Sequence, residues 1–399
     1  DDDAGGTVAK CNFCSHRIDA GLEPACVTVC PTEAIIFGDL DDATSPISVL
    51  RKNGAVQPRA ELKTEPQLSY IGVNEVVLAA DRTSERPSAI MTSPWNGNAN
   101  GSAPPAETAE PHDVYNVSHS SPWHSLVAAY MGTKSVATGV LLLGALAIGS
   151  GYEPERDTIA LAAPAIALLF LTITSLFLVL DLERPERFLR IVLQPNWTSW
   201  LVRGAYLLLA FSALSTLWLV LEIAGAEDAV RVVAWVSVPV SVATACYTAW
   251  LFWQAPGREL WRSRAFAPHL LAQAVVAGAA AWIFVLVVAD TAREPFELLV
   301  VALLGGLAVS ALATAREFSR GGTTHLRRAR DLALRGALAP AFWLGAILAG
   351  HLAPAALAVA YVAADGSAAL LVAAAVLALA GQTTQDEVWL RAGQAVSQS

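Results

Sequence analysis

Residues 158–180 read TIALAAPAIALLFLTITSLFLVL, 23 positions without a charged side chain. At about 1.5 Å of rise per residue, a helix of that length crosses the ~30 Å hydrocarbon core of a bilayer. Lipid offers the backbone no water to bond, so a spanning segment of this composition must be helical. Similar runs recur along the chain. From Pro122 onward it reads as eight spans, at 123–149, 158–181, 198–221, 230–253, 267–289, 295–314, 336–363 and 367–388. Only Ala364-Asp365-Gly366 part the last two. Merged, they would make one helix of roughly 50 residues, more than tilting absorbs, so a break is expected there.

Composition divides the chain in the same way. Hydrophobic residues make up 54% of the 399 positions and charged residues 15%, against about 25% charged in soluble domains. Residues 1–121 carry 17 acidic and 8 basic side chains, and residues 122–399 carry 18 of each. The net charge of −9 therefore belongs to the N-terminal part. An acidic soluble face excludes nucleic acid, which requires a basic one, and suits docking to protein partners. Four regions follow: a soluble domain at 1–81, a linker at 82–121, a membrane domain at 122–391 and a tail at 392–399. The linker is rich in Pro, Gly, Asn, Ser and Ala, with too few large apolar residues for a core. Short sequons such as Asn196-Trp197-Thr198 arise often by chance and carry no weight.

Four of the five cysteines lie in Cys11-x2-Cys14-x11-Cys26-x3-Cys30-Pro31. Thiolates this close, with proline after the last, suit an iron–sulfur cluster, whose corners force the chain to curl tightly. A four-cysteine zinc site also uses C-x2-C pairs, but usually two of them. Disulfides are disfavoured in a reducing compartment. Iron–sulfur leads, with zinc as the alternative.

Arginine placement gives an orientation. With eight spans, one side holds Arg184, Arg187, Arg190, Arg258, Arg262, Arg264, Arg316, Arg320, Arg327, Arg328, Arg330, Arg335 and Arg391. The other holds Arg156, Arg231 and Arg293. This bias places both termini and the cysteine domain in the cytoplasm of a multi-pass cell-membrane protein.

The stretch CNFCSHRIDAGLEPACVTVCPTEAIIFGDLDD, followed by KTEPQLSYIGVN, resembles the C-terminal part of the ferredoxin-type subunits that serve molybdopterin oxidoreductases. The resemblance implies that Cys11, Cys14 and Cys26 ligate one [4Fe–4S] cluster while Cys30 reaches a neighbouring one. No upstream cysteines complete either cluster. With Asp1 rather than Met at the start, the expectation is a piece of a longer protein. The spans resemble the polysulfide reductase/NrfD family of quinone-reactive anchors, on Leu180-Asp181-Leu182-Glu183-Arg184-Pro185-Glu186-Arg187-Phe188 and Pro195-Asn196-Trp197-Thr198-Ser199-Trp200. The fold class is thus mainly α: an eight-helix transmembrane bundle preceded by a partial ferredoxin-like domain.

A quinone taking two electrons and two protons needs donors at its carbonyls and a proton path. Lys134 lies near mid-depth of the first span, and an intramembrane lysine faces a protein interior or cavity. Trp123, Tyr130 and Lys134 share one helix stripe. His124 stands at the membrane edge; Asp181 and Arg184 end the second span on the same side. These six form the candidate quinone site. The bland reading, in which Lys134 neutralises a buried acid, weighs equally. Asp290, Glu294 and His351 could line a proton route, though a solvated edge and a satisfied histidine explain them as well. Haem lacks a pair of histidines at matching depth.

Together these readings describe a subunit that anchors and wires, rather than one that performs the substrate chemistry. By resemblance it links a cytoplasmic molybdopterin-containing partner to menaquinone or ubiquinone. The alternatives are a redox-linked proton-translocating subunit and a zinc-bearing scaffold without redox role.

Overall fold

The computed structural model describes residues 11–58, 63, 66–73, 123, 125–182, 185, 188–255, 258–291, 294–364 and 366–395. The predicted linker, His124 and Arg184 lie outside them. Packing divides the chain into two units. One comprises residues 1–27 and 34–114, the other residues 28–33 and 115–399.

In the first unit the described elements are short. Helices α1 (Ser15–Ile18) and α2 (Ala25–Val29) follow the first cysteine pair, and the second crosses the unit boundary. Pro46 starts α3 (Pro46–Lys52), where its missing N–H costs nothing. One antiparallel bridge joins Val56 and Tyr70 through two 2.8 Å backbone bonds. Loop side chains supply most of the remaining order: Asp42 accepts from the Thr44 backbone at 2.8 Å, and Ser48 Oγ donates to Asp39 O at 3.1 Å.

The second unit is helical. Its spans are α4 (Ser125–Ser150), α5 (Arg156–Leu180), α7 (Trp200–Ile223), α8 (Glu227–Trp253), α9 (Phe266–Val288), α10 (Glu294–Ser319), α12 (Ala341–Ala363) and α13 (Ala368–Gln394). These eight helices among the described residues are each long and apolar enough to cross a membrane. Two short helices lie in loops, α6 (Phe188–Leu193) and α11 (Thr324–Leu334). All eight expected spans have a helix, with ends differing by several residues. The last runs to Gln394, past the 391 boundary assigned to the membrane domain. Residues 324–334, counted with a loop in the sequence reading, wind because Leu326, Ala329 and Ala333 line one buried face at three- and four-residue spacing.

The outer surface is apolar: Leu169, Val220, Val301 and Leu312 are each more than half exposed. Such a surface on this scale suits lipid. Inside, α4 and α9 touch most closely. A Cβ on Gly139 would lie 1.8 Å from Ala274 O, so only hydrogen fits where these helices cross. Gly350 and Gly381 make the same close approach between α12 and α13. The first half of α12, Ala341–Leu352, winds as a π-helix before Pro354 and the regular α-helix.

Candidate functional site

The first cysteine pair sits on a tight turn. Phe13 and Cys14 are both left-handed, at φ 60° and 52°. The Asn12 carboxamide steadies this turn by accepting from Cys14 N at 3.0 Å. Two consecutive left-handed residues curl the backbone from Cys11 to Cys14. Cys11 and Cys26 are exposed and Cys14 is partly so; none of the five cysteines is in a disulfide. Among the described residues, no three metal-binding side chains gather at one point. The number, type and accessibility of the thiols fit ligands to an iron–sulfur group.

Cys30 is buried and belongs to the membrane unit, with its neighbours in residues 28–33. The loop before α7 holds this segment. Asn196 Nδ2 donates to Cys30 O at 2.7 Å, and Asn196 N donates to Pro31 O at 3.2 Å. Thr198 Oγ1 stands 3.0 Å from Thr28 O, and Ser199 Oγ donates to Val29 O at 3.3 Å. Carbonyls at a helix end need such partners. Asn196 is buried and committed to these bonds. The loop is braced in turn: Gln254 accepts from Trp200 N and donates to Thr198 O, and Arg203 Nε donates to Trp197 O.

Trp123 enters an aromatic cluster. Its ring stacks on Trp261 at 4.7 Å and meets Phe252 edge-on at 4.8 Å. Gln394 at the end of α13 clamps its backbone with two 2.9 Å bonds. Trp389 continues the cluster, stacked on Phe266 at 4.0 Å. Arg258 closes this end by donating to the carbonyls of Gly393 and Gln394 at 3.1 and 2.8 Å.

Lys134 is fully buried. Its ammonium donates to Ala245 O at 3.1 Å and to Thr248 Oγ1, and lies 4.8 Å from the Tyr247 ring centre. Lys134 thus ties α4 to α8 through a carbonyl and a hydroxyl, and the buried acid of the bland reading is not its hydrogen-bond partner. Tyr130 is buried as well. Asp181 caps α5 and is partly exposed.

A polar network that the sequence reading missed lies beside these residues. Gln273 Nε2 donates to Asp386 Oδ1 at 2.9 Å, and Gln382 Nε2 donates to Gln273 O at 3.1 Å. His269 Nδ1 lies 3.3 Å from Glu317 Oε2. Its Nε2 faces the Gln385 amide at 3.1 Å, which also donates to Thr314 Oγ1 at 2.5 Å. With a carboxylate on one side and an amide donor on the other, the neutral ring carries its proton on Nδ1. Ser310 donates to His351 Nε2 at 3.0 Å, and His351 Nδ1 to Ala346 O at 2.8 Å. His351 therefore has both nitrogens occupied. The Gln273, Glu317 and Gln385 Oε1 atoms are buried, with no protein partner among the described residues. Buried acceptors are rarely left so, and these can receive protons from water or a ligand hydroxyl.

Glu317 escaped notice because the sixth span was closed at 314, whereas α10 runs to Ser319. Asp386 lay inside the expected eighth span. Its signal was a carboxylate within the polar run Gln382-Thr383-Thr384-Gln385-Asp386, and an intramembrane acid is a functional candidate by default. Asp290 and Glu294, by contrast, are exposed at the other end of the bundle.

Two family descriptions match the chain. Polysulphide reductase, NrfD, matches residues 113–397, and a 4Fe-4S dicluster domain matches residues 1–40. The sequence is 50% identical over 66 residues to an arsenate respiratory reductase iron–sulfur subunit of Shewanella sp. (strain ANA-3), covering 16% of this chain and 28% of that protein. The B subunit of the Wolinella succinogenes polysulfide reductase is 51% identical over 64 residues, 16% of this chain and 34% of its own length. An Hdr-like menaquinol oxidoreductase iron–sulfur subunit 1 of Archaeoglobus fulgidus is 44% identical over 75 residues, 16% and 28%. The chain spans about a third or less of these curated relatives.

Proposed function

Because this protein belongs to the polysulphide reductase NrfD family and carries a 4Fe-4S domain at its N-terminus, we propose that it passes electrons between a catalytic oxidoreductase and membrane quinone. In this reading Cys11, Cys14, Cys26 and Cys30 ligate iron as thiolates, as in the C-terminal part of a molybdopterin-oxidoreductase ferredoxin subunit. The bound iron–sulfur group supplies one-electron chemistry at low reorganisation. The catalytic partner would contain molybdopterin, and the quinone would be menaquinone or ubiquinone. The relatives named for arsenate, polysulfide and menaquinol chemistry support the class of partner.

The chain's own part is to seat the quinone and handle its protons. The supporting observation is the buried group of Glu317, His269, Gln385, Asp386 and Gln273, in the half of the bundle that also holds Trp123 and the Cys30 segment. A quinol hydroxyl here would meet carboxylate and amide oxygens that accept. A quinone carbonyl would meet donors in Tyr130 or Lys134. A quinol hydroxyl reaching His269 Nε2 in place of the Gln385 amide would give its proton there while the ring passes its Nδ1 proton to Glu317 Oε2, so the imidazole stays neutral.

Proton translocation across the whole bundle finds less support. Beyond Ser310 and His351, the part of the interior between α9, α10 and α13 is apolar, with Leu303, Val300, Phe296, Ile283 and Leu286. We therefore read the network as a local proton supply on the cysteine-bearing side, assigned to the cytoplasm by the arginine bias. The test is purified, full-length protein in membranes. Stoichiometric iron and sulfide, with visible absorption that dithionite bleaches and a quinone analogue restores, are the predicted result. One zinc per chain and no iron would overturn it.

A further inference from the structure

Residues 28–33 pack with the helical bundle rather than with the unit that contains the other motif cysteines. What holds them is specific. Four consecutive carbonyls, those of Thr28, Val29, Cys30 and Pro31, face polar groups of a short stretch, Asn196, Thr198 and Ser199. The central contact is the Asn196 amide on the carbonyl of Cys30, between a buried side chain and a buried ligand residue. Asn196 Oδ1 is itself held by Thr198 N at 3.0 Å, which fixes the carboxamide with its N–H₂ toward Cys30.

We infer that the Asn196–Ser199 loop is the seat that fixes Cys30 on the membrane unit, with Asn196 as the residue positioning this thiolate. The inference rests on the proposed iron–sulfur role of Cys30. Its physical content is a restraint: a ligand whose backbone is bonded at three successive carbonyls, those of Val29, Cys30 and Pro31, cannot drift from this half of the bundle. The loop, Asn196-Trp197-Thr198-Ser199, carries no thiolate and acts through the backbone beside Cys30. It also gives Asn196 a task that its sequon pattern hid, since a buried amide bonded on both sides is no acceptor for a glycan.

Asn196→Asp separates the alternatives, because aspartate keeps the shape and the acceptor for Thr198 N but removes the donor and sets an anionic oxygen against Cys30 O. In full-length protein in membranes, iron content should stay at the wild-type level. Amide exchange of the 28–33 segment should rise about tenfold or more as the local structure opens. The low-temperature electron paramagnetic resonance signal of the reduced protein should change in g values, and its reoxidation by a quinone analogue should slow by about tenfold. Unchanged exchange and an unchanged spectrum at full iron content would overturn the seat. Iron absent from the wild type as well would instead overturn the function on which it rests. If Asn196→Asp does not accumulate, exposed Thr198 carries the test. Thr198→Val should reproduce the faster exchange and Thr198→Ser should restore protection; equal protection in both would reject the proposal.

Discussion

The two ends of the helical bundle differ in what they bury. The end shared by Trp123, the Asn196 loop and the start of α9 encloses Lys134, His269, Gln273, Glu317, Gln385 and Asp386, all nearly inaccessible. The opposite end keeps its charges at the rim. There Arg156 meets Asp157, Glu222 and Glu227 at 3.1, 3.4 and 3.5 Å. Its interior is closed by Leu303, Phe296, Ile283 and Tyr361. Asp157 and Glu227 of this cluster face solvent while Arg156 and Glu222 are partly buried, and exposed pairs contribute at most about 1 kcal/mol each. Buried carboxylates and imidazole cost far more to keep in lipid and persist where chemistry needs them. In the proposed function the end with buried polar groups serves proton-coupled chemistry and the other end anchors.

The largest effect should come from the cysteines. Cys14→Ser or Cys26→Ser should abolish iron incorporation and electron transfer to a quinone analogue, with membrane insertion intact, as iron analysis and immunoblotting of membranes would register. Normal iron in either variant would remove the redox role from this end. Next come the buried acids. Glu317→Gln and Asp386→Asn should each slow quinone turnover by about 10²-fold, the usual scale for lost acid–base participation. Iron content should be unchanged. Stopped-flow reoxidation checks this, and wild-type rates in both variants would erase the contrast between the ends.

Lys134→Leu sharpens the contrast by dividing structure from chemistry. Losing the bonds to Ala245 O and Thr248 should lower turnover by about tenfold if the lysine meets quinone. A purely structural tie predicts less folded protein in the membrane, with normal turnover per folded molecule. The smallest effect is expected at the far rim. Glu222→Gln should change quinone turnover by less than about twofold, since the pair is peripheral and Asp157 and Glu227 still face Arg156. A larger loss would mean that the far end takes part.

The spans were legible because an uninterrupted apolar run of bilayer length is stable as little else than a spanning helix. The break at 364–366 was legible from length alone. The cysteine motif was equally plain as a donor set. Less legible was anything decided by contacts between helices. The π-winding of Ala341–Leu352 accompanies the approach of Gly350 to Gly381, which are distant in sequence. The His269–Glu317–Gln385 group brings together three helices, and no periodicity within one of them announces it. Trp123, Tyr130 and Lys134 were placed on one stripe from their spacing, yet Trp123 packs into an aromatic cluster while Lys134 bonds α8. Helical phase shows which way a residue points, and tertiary packing determines what it meets.

Sealed vesicles carrying the full-length protein, with a pH dye inside or outside, test the central claim most directly. Reduction of a quinone analogue by chemically reduced protein should take up protons only from the side that bears the cysteines. Glu317→Gln should slow that uptake in step with electron transfer. Protons drawn from the opposite side, or uptake untouched by Glu317→Gln, would contradict the assignment of quinone chemistry to the polar end.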